Sequence, residues 1–285
     1  MTSKIAKLLV SVIVILCLSS ISGVYFFYFP TQAIEVDFLD VGQGDSILIK
    51  SPFGQNILID GGPDKSVIRR LSENLPWWDR QIDLMILTHP HDDHLTGLQE
   101  VLNRYQVNKV LYTGVNEKNS NYTSWLQNVQ NKNIPVILAG ELKNISFGPE
   151  CNLKFIYPNK SLAGLTVGNL NNSSLVIRLT YKNKTWLLMG DSEGAVEAEL
   201  IKRPKDLLAD IIKIGHHGSD NSSSENFLKL VKPEYAVIQV GEKNDFNHPS
   251  KRILKRLERD DIKILRTGLN GTVRITSDGE KLKIK

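Results

Sequence analysis

Three histidines and two aspartates crowd into Thr88-His89-Pro90-His91-Asp92-Asp93-His94, so half of the chain's six histidines fall within six residues. Imidazole nitrogens and carboxylate oxygens are the ligands that borderline divalent metals prefer. The apolar run Asp83-Leu84-Met85-Ile86-Leu87 ahead of them suits a buried strand, and the apolar spacing of Leu95 to Leu102 behind them suits a helix. The stretch therefore predicts a strand-to-helix turn, with Asp93 and His94 near the positive end of the helix. The chemistry it predicts is metal binding, of the two-metal kind.

Other chemical residues also stand at strand ends. In Leu187-Leu188-Met189-Gly190-Asp191-Ser192-Glu193, Asp191 closes an apolar strand and leads into a helix. Such a carboxylate can bridge two cations, and it equally suits a helix N-cap. Ile214-Gly215-His216-His217-Gly218-Ser219 follows another apolar strand, and Asp60-Gly61-Gly62 ends a further one. Four polar strand ends, carrying five of the six histidines, meet if their strands share a sheet. The sixth, His248 in Phe246-Asn247-His248-Pro249-Ser250, either reaches that site or is a loop side chain ahead of a capped helix.

The rest of the chain must position these groups. With 285 residues and 41% hydrophobic content it can bury a substantial core. Residues 34–285 alternate short β-rich runs with amphipathic stretches. Strands are expected near Ile34–Leu39, Ser46–Ile49, Asn56–Ile59, Leu84–Thr88, Ser174–Thr180, Thr185–Met189 and Ile211–Ile214, among others, with helices near His94–Arg104, Glu193–Arg203 and Ser250–Arg259. Hairpin turns mixed with strand–helix units predict an α/β (α+β) fold of two sheets with helices outside them, rather than one doubly wound sheet. Cys17 and Cys151 form no disulfide framework and no zinc-knuckle spacing.

Leu8 to Phe29 is an uncharged apolar run of 22 residues, with Lys4 and Lys7 before it and Glu35 and Asp37 after it. That length spans a bilayer, and the lysines place the N-terminus in the cytoplasm and the body outside. Residues 1–33 are thus expected to be a membrane anchor, or a signal segment if Thr31-Gln32-Ala33 is a cleavage site. Residues 34–285 are expected to carry the metal-binding residues as one domain.

The HxHxDH pattern at His89, His91, Asp93 and His94, with Asp60 before it and Asp191 and His216-His217 after it, resembles the metallo-β-lactamase fold superfamily. Phe38-Leu39-Asp40-Val41-Gly42-Gln43-Gly44-Asp45-Ser46, Asn171-Asn172-Ser173-Ser174, His216-His217-Gly218-Ser219 and His248-Pro249-Ser250 are similar to the C-terminal extracellular domain of the competence DNA-uptake protein ComEC. The resemblance implies an αββα four-layer sandwich and two divalent ions, zinc or manganese. It implies that His89, His91 and Asp191 hold one ion, and that Asp93, His94, Asp191 and one of His216 or His217 hold the other. Asp60 would orient ligands. Catalytic roles would fall to Asp93, His248 and Asp60, and substrate contacts to Asp40, Gln43, Asp45, Asn172 and Ser173. The superfamily's usual histidine between the second motif and Asp191 is missing, and Asn171-Asn172-Ser173 occupies that region.

Two metals about 3.5–4 Å apart hold a hydroxide and stabilise charge on the attacked and leaving oxygens. The expected function is an exported phosphodiesterase, most of all a nuclease acting on DNA, with no protein partner predicted. The alternatives are a hydrolase of a small ester (a cell-wall phosphodiester, a phosphocholine or a lactam) and a non-catalytic surface module. A formal charge of +4 does not mark a nucleic-acid binder. Lys251, Arg252, Lys255, Arg256 and Arg259 make one helix basic, Lys202, Arg203 and Lys205 add charge near another, and no aromatic-rich stacking stretch is evident.

Overall fold

The computed structural model describes residues 7, 10–20, 33–140, 143–204 and 207–285. Its strands are β1 (Ile34–Phe38), β2 (Ile47–Lys50), β3 (Asn56–Ile59), β4 (Gln81–Ile82), β5 (Leu84–Leu87), β6 (Gln106–Val107), β7 (Val110–Tyr112), β8 (Val136–Leu138) and β9 (Asn144–Ser146). They continue as β10 (Cys151–Tyr157), β11 (Val176–Tyr181), β12 (Lys184–Leu188), β13 (Ile211–Lys213), β14 (Tyr235–Ile238), β15 (Lys263–Arg266), β16 (Val273–Ser277) and β17 (Leu282–Ile284). One sheet runs β17-β16-β1-β2-β3-β5-β7-β8, the other β15-β14-β13-β12-β11-β10-β9, and β4 pairs with β6 alone.

The strands read as near-continuous apolar runs because both their faces are covered. Side chains alternate across a strand, so in β3 Ile57 and Ile59 enter a core between the two sheets while Leu58 enters a second core on the other face. The same alternation splits Leu84 and Ile86 from Met85 and Leu87 in β5. In the second sheet Trp186 and Leu188 of β12 join the inter-sheet core, and Leu187 faces outward. The outward face of the first sheet is closed by helices Ser66–Asn74, Asp92–Arg104 and Ser120–Asn131. That of the second is closed by Gly194–Ile201, Glu225–Val231 and Lys251–Arg259. The result is helices, sheet, sheet, helices: the four-layer sandwich expected from the sequence.

One side of each sheet is parallel, out to its edge strand: β3-β5-β7-β8 in the first and β12-β13-β14-β15 in the second. Their carboxyl ends therefore point to one edge of the sandwich, where α/β sheets hold ligands. Several expectations shift at that edge. The helix after the HxHxDH turn begins at Asp92, not at His94, so Asp92 and Asp93 occupy its first turn, where carboxylates are favoured. Asn171–Ser173 forms a single 3-10 turn, and the strand behind it starts at Val176 rather than Ser174. The short strands β4, β6 and β9 lacked any readable period.

Of the apolar run Leu8–Phe29, residues 10–20 are described and helical, with Val10, Ile13, Ile15, Leu16 and Leu18 exposed. Among the described residues no helix is long and apolar enough to cross a membrane, and the remainder of the expected span lies outside them.

Candidate metal centre

Each chemical residue stands just past the carboxyl end of a strand. Asp60 follows β3, Thr88 and His89 follow β5, Asp191 follows β12, and His216 and His217 follow β13. The loop Asp60-Gly61-Gly62 lies directly on the helix that starts at Asp92: the Gly61 N–H donates to the His94 carbonyl at 2.7 Å, and the Gly97 N–H to the Gly62 carbonyl at 3.0 Å. A Cβ on Gly97 would fall 1.9 Å from the Gly61 oxygen, so this backbone approach requires glycine. It seats the helix start against the end of β3.

Asp93, His94, Asp191 and His217 converge so that one ligand atom from each lies within 4.8 Å of the others. The His94 and His217 Nε2 atoms stand 3.3 Å from Asp191 Oδ1 and Oδ2 respectively, and His217 Nε2 lies 3.2 Å from Asp93 Oδ2. The opposite ring nitrogens are already committed. His94 Nδ1 is 2.8 Å from Asp60 Oδ2, and His217 Nδ1 is 2.8 Å from the Gln239 carbonyl oxygen. A ring that donates from Nδ1 presents a lone pair at Nε2, which is how outer groups prepare histidine for a metal. His94 Nε2, His217 Nε2 and Asp191 Oδ1 are buried and have no hydrogen-bond partner. Buried polar atoms left unpaired are costly, and three of them facing one point fit a divalent cation.

The fields are consistent with that reading. Burial disfavours protonation of His94, but the surrounding Asp191, Asp93 and Asp60 carboxylates outweigh it and hold the imidazole well above its ordinary range. Burial likewise opposes ionisation of Asp191, and the His217 and His94 imidazoles outweigh it, keeping the carboxyl well below the usual carboxylate range. Without a cation the carboxylates thus draw protons onto the His94 and His217 rings, and a divalent ion bound at the Nε2 atoms would displace those protons and supply the same positive charge.

His89 and His91 sit beside this cluster. Their rings are in contact through Nε2 and Nδ1 at 3.0 Å, and His89 is 4.2 Å from His94 between ring centroids. The described residues do not gather them with Asp191 into the same tight group. His216 turns away from His217: its Nε2 is 4.0 Å from Asp191, and its Nδ1 faces Glu193 at 3.4 Å. Both residues have left-handed backbone, φ 48° and 51°, which sends adjacent side chains to different neighbours. His217 is therefore the one in the cluster.

The substrate-side expectations divide. A cleft of about 490 Å³ is lined by Gln43, His91, Asp93, Asn171, Asp191, His216, His217, Phe246 and His248, among others. Gln43 and His248 thus line the same cleft as the cluster. Asp40 does not: its carboxylate pairs with Arg70 at 2.7 Å, a bond that ties the loop to helix Ser66–Asn74. Asn172 and Ser173 also turn away. Asn172 Oδ1 accepts from the Glu193 N–H, and the buried Ser173 hydroxyl donates to the Leu170 carbonyl. The 3-10 turn presents Asn171 instead, whose amide donates to Glu193 at 2.9 Å and lies 3.4 Å from the His216 ring. Asp45 is buried beneath the cluster, its Oδ1 3.4 Å from His217 Nδ1.

Three participants escaped the sequence. Lys213 is wholly buried at the end of β13, its ammonium ion-paired with Asp45, 3.6 Å from Asp191 Oδ1, and donating to the Gly190 carbonyl at 2.8 Å. Burial alone would discharge it, but Asp45 and Asp191 keep it charged. A lone lysine inside Ile211-Ile212-Lys213-Ile214 was the available signal. Thr88 holds Asp60 through its N–H at 2.8 Å and its hydroxyl at 2.7 Å. Gln239 supplies the carbonyl for His217 and uses its side-chain amide to bind the Leu39 and Ser46 carbonyls at the two ends of the β1–β2 loop.

Comparison with known proteins agrees with this architecture. The Metallo-beta-lactamase superfamily profile matches residues 39–242. ComE operon protein 3 of Bacillus subtilis (strain 168) is 28% identical over 263 residues, covering 84% of this chain and 32% of that protein. Competence protein ComA of Neisseria gonorrhoeae is 27% identical over 251 residues, covering 86% of this chain and 32% of that protein. The chain spans about a third of the length of these relatives. Among solved structures, CmlA, a diiron beta-hydroxylase from Streptomyces venezuelae, superposes with a TM-score of 0.54 at 16% identity over 86% of this chain and 54% of that one. The long form RNase Z from yeast gives 0.50 at 13% identity, over 88% and 42%. These two likenesses concern the fold. Together with the HxHxDH cluster and the ComEC-family relatives, the profile match shows that this chain belongs to the metallo-beta-lactamase superfamily as a ComEC-like member.

Proposed function

We propose that the chain is a metal-dependent phosphodiesterase acting on DNA at the outer face of a membrane. The observation that carries this reading is the Asp93/His94/Asp191/His217 cluster, with its unpartnered ligand atoms at the floor of an open cleft. In this reading those four residues hold one divalent ion, zinc or manganese, and His89 and His91 contribute to a second. Bound there, such ions supply Lewis acidity and an activated water.

The chain's own residues do the remaining work. Asp60 fixes the His94 ring, and the Gln239 carbonyl fixes that of His217. Asp93, one-third exposed, faces the cleft and is placed to orient an attacking water by accepting a hydrogen bond from it, because the His94 and His217 rings keep its carboxylate ionised. His248 lines the same cleft 5.5 Å from the His216 ring, where it can hydrogen-bond a phosphate oxygen or the leaving group. Burial and the neighbouring His216 and His217 rings keep His248 below its ordinary pKa, so it acts as a neutral imidazole.

Two surface features favour a polymer over a small ester. Phe246, 65% exposed, stands at the rim of the cleft and stacks on His248 with centroids 5.8 Å apart. An exposed ring beside a phosphodiester site suits stacking against a base. Helix Lys251–Arg259 then begins just past His248, and its Lys251, Arg252, Lys255, Arg256 and Arg259 line a groove of about 550 Å³ with Glu225. One of the relatives is named a competence protein, which accords with a DNA substrate. The apolar run at residues 8–29, with the exposed apolar helix at 10–20, supports attachment to the membrane.

The test offers the full chain single-stranded DNA, duplex DNA, RNA, bis-p-nitrophenyl phosphate and a β-lactam, with zinc or manganese. DNA cleavage that is abolished by chelation is expected. Turnover of only the small diester or the lactam would replace the DNA reading with a small-ester hydrolase.

A further inference from the structure

Two adjacent tryptophans, Trp77 and Trp78, are 81% and 69% exposed, more than any other large apolar side chain described. They are the central pair of the turn Pro76-Trp77-Trp78-Asp79, closed by the Asp79 N–H donating to the Pro76 carbonyl at 2.9 Å. The turn is anchored rather than loose. Asp79 accepts from the Asn56 amide at 2.8 Å and from the Gln81 N–H at 3.2 Å. Those bonds occupy the carboxylate at the turn and leave two indoles, packed edge to face at 5.5 Å, as its tip.

Their place in the fold gives this exposure a direction. Pro76 and Leu75 line one depression with Ala33 and Ile34, the residues through which the N-terminal segment enters the body. In the sheet, β1 and β2 are antiparallel, as are β2 and β3, while β3 and β5 are parallel. The start of β1 therefore lies at the same sheet edge as the start of β5, near which the tryptophan turn sits. The metal cluster lies past the carboxyl ends of β3 and β5, at the opposite edge. Strands of four or five residues separate the two by roughly 13–17 Å.

We propose that the Trp77–Trp78 turn is a lipid-interface contact that seats the body on the bilayer with the metal cleft facing away from it. Tryptophan suits the interface because its apolar ring enters the acyl boundary while its N–H stays hydrated. A protein partner would also accept aromatics, but the chain entry alongside them is preceded by an apolar run of bilayer-spanning length. This inference rests on the reading that residues 8–29 attach the chain to a membrane. It makes the body a platform whose catalytic edge meets substrate arriving from outside rather than along the bilayer.

The four tryptophans make a direct test possible. Trp125 and Trp186 are fully buried, and the apolar run contains none, so quenching reads Trp77 and Trp78. The full chain is reconstituted in phosphatidylcholine–phosphatidylglycerol vesicles, and flotation reads attachment. Vesicles brominated in the upper acyl chain should shift the emission to the blue and quench it, while aqueous iodide loses access. In Trp77→Ser/Trp78→Ser the chain should still float and the bromine-sensitive emission should vanish. A chain that floats with emission still open to iodide and insensitive to bromine overturns the proposal and leaves attachment standing. Bromine quenching that survives in the double variant also overturns it. A chain that fails to float overturns both.

Discussion

The Asp60 carboxylate grips His94 at Nδ1, 2.8 Å away, and is itself held by the N–H and hydroxyl of Thr88. One aspartate thereby ties the end of β3 to the end of β5 and fixes which ring nitrogen His94 offers to the cluster. Asp60 has left-handed backbone, φ 58°, a conformation that asparagine tolerates. Asp60→Asn should therefore fold, yet weaken metal affinity by about 10–100-fold, as loss of an outer carboxylate partner does. Competitive metal titration checks this. Unchanged affinity would remove Asp60 from the role of orienting His94.

Asp191 is the residue toward which both His94 and His217 point, and its Oδ1 has no hydrogen-bond partner. Asp191→Ala should reduce bound metal below that of the unaltered chain in elemental analysis, and it should affect both ions if the carboxylate is shared. Retention of the original stoichiometry would exclude Asp191 as a common ligand.

Lys213 separates Asp45 from Asp191 inside the core. Lys213→Met leaves two buried carboxylates without their cation, and removing one partner of a buried pair costs roughly 3–5 kcal/mol. A metal ion supplies positive charge at the same place. The loss in denaturant stability should thus be largest after chelation and smaller with zinc or manganese present. An equal loss in both conditions would mean that Lys213 serves packing alone.

Asp93 and His248 should separate metal binding from substrate contact. Asp93→Ala removes a ligand and the group that orients the attacking water, and should lower DNA cleavage by at least about a hundredfold. His248→Ala should lower turnover with metal content intact, because its ring lines the cleft without belonging to the tight cluster. Loss of metal in His248→Ala would contradict that division.

Lys251, Arg252 and Lys255 line the basic groove with no ion-pair partner among the described residues, whereas Arg259 is bound to Glu225 and Asp260. Changing all three to Gln should raise KM for single-stranded DNA. It should also flatten the salt dependence by about 0.7 in log–log slope for each phosphate no longer neutralised. A control triple, Arg104→Gln/Lys109→Gln/Lys132→Gln, removes the same charge at the edge away from the cleft. Equal effects in the two triples would assign the result to net charge.

Much of this molecule was legible in its residues because local chemistry repeats at strand ends. Apolar runs of strand length, each closed by Asp, His or Gly, announced a sandwich with polar groups at one edge, and the HxHxDH spacing pointed to Asp93 and His94, which the cluster contains. Covalent neighbours carried that information. What the sequence left open was decided by contacts between distant segments. His216 and His217 are chemically identical, and only the left-handed turn after β13, with the Gln239 carbonyl, selects His217. Asp40 and Asp45 sit in one glycine-rich loop, but Arg70 draws one outward while Lys213 holds the other beneath the cluster. Asn171 lines the cleft in place of Asn172 and Ser173, whose side chains are taken up by the Glu193 N–H and the Leu170 carbonyl. Lys213 gains its role only because two carboxylates from distant parts of the chain, Asp45 and Asp191, close around it. Spacing along the chain determines which groups can share an element, but burial and register determine which of them face one another.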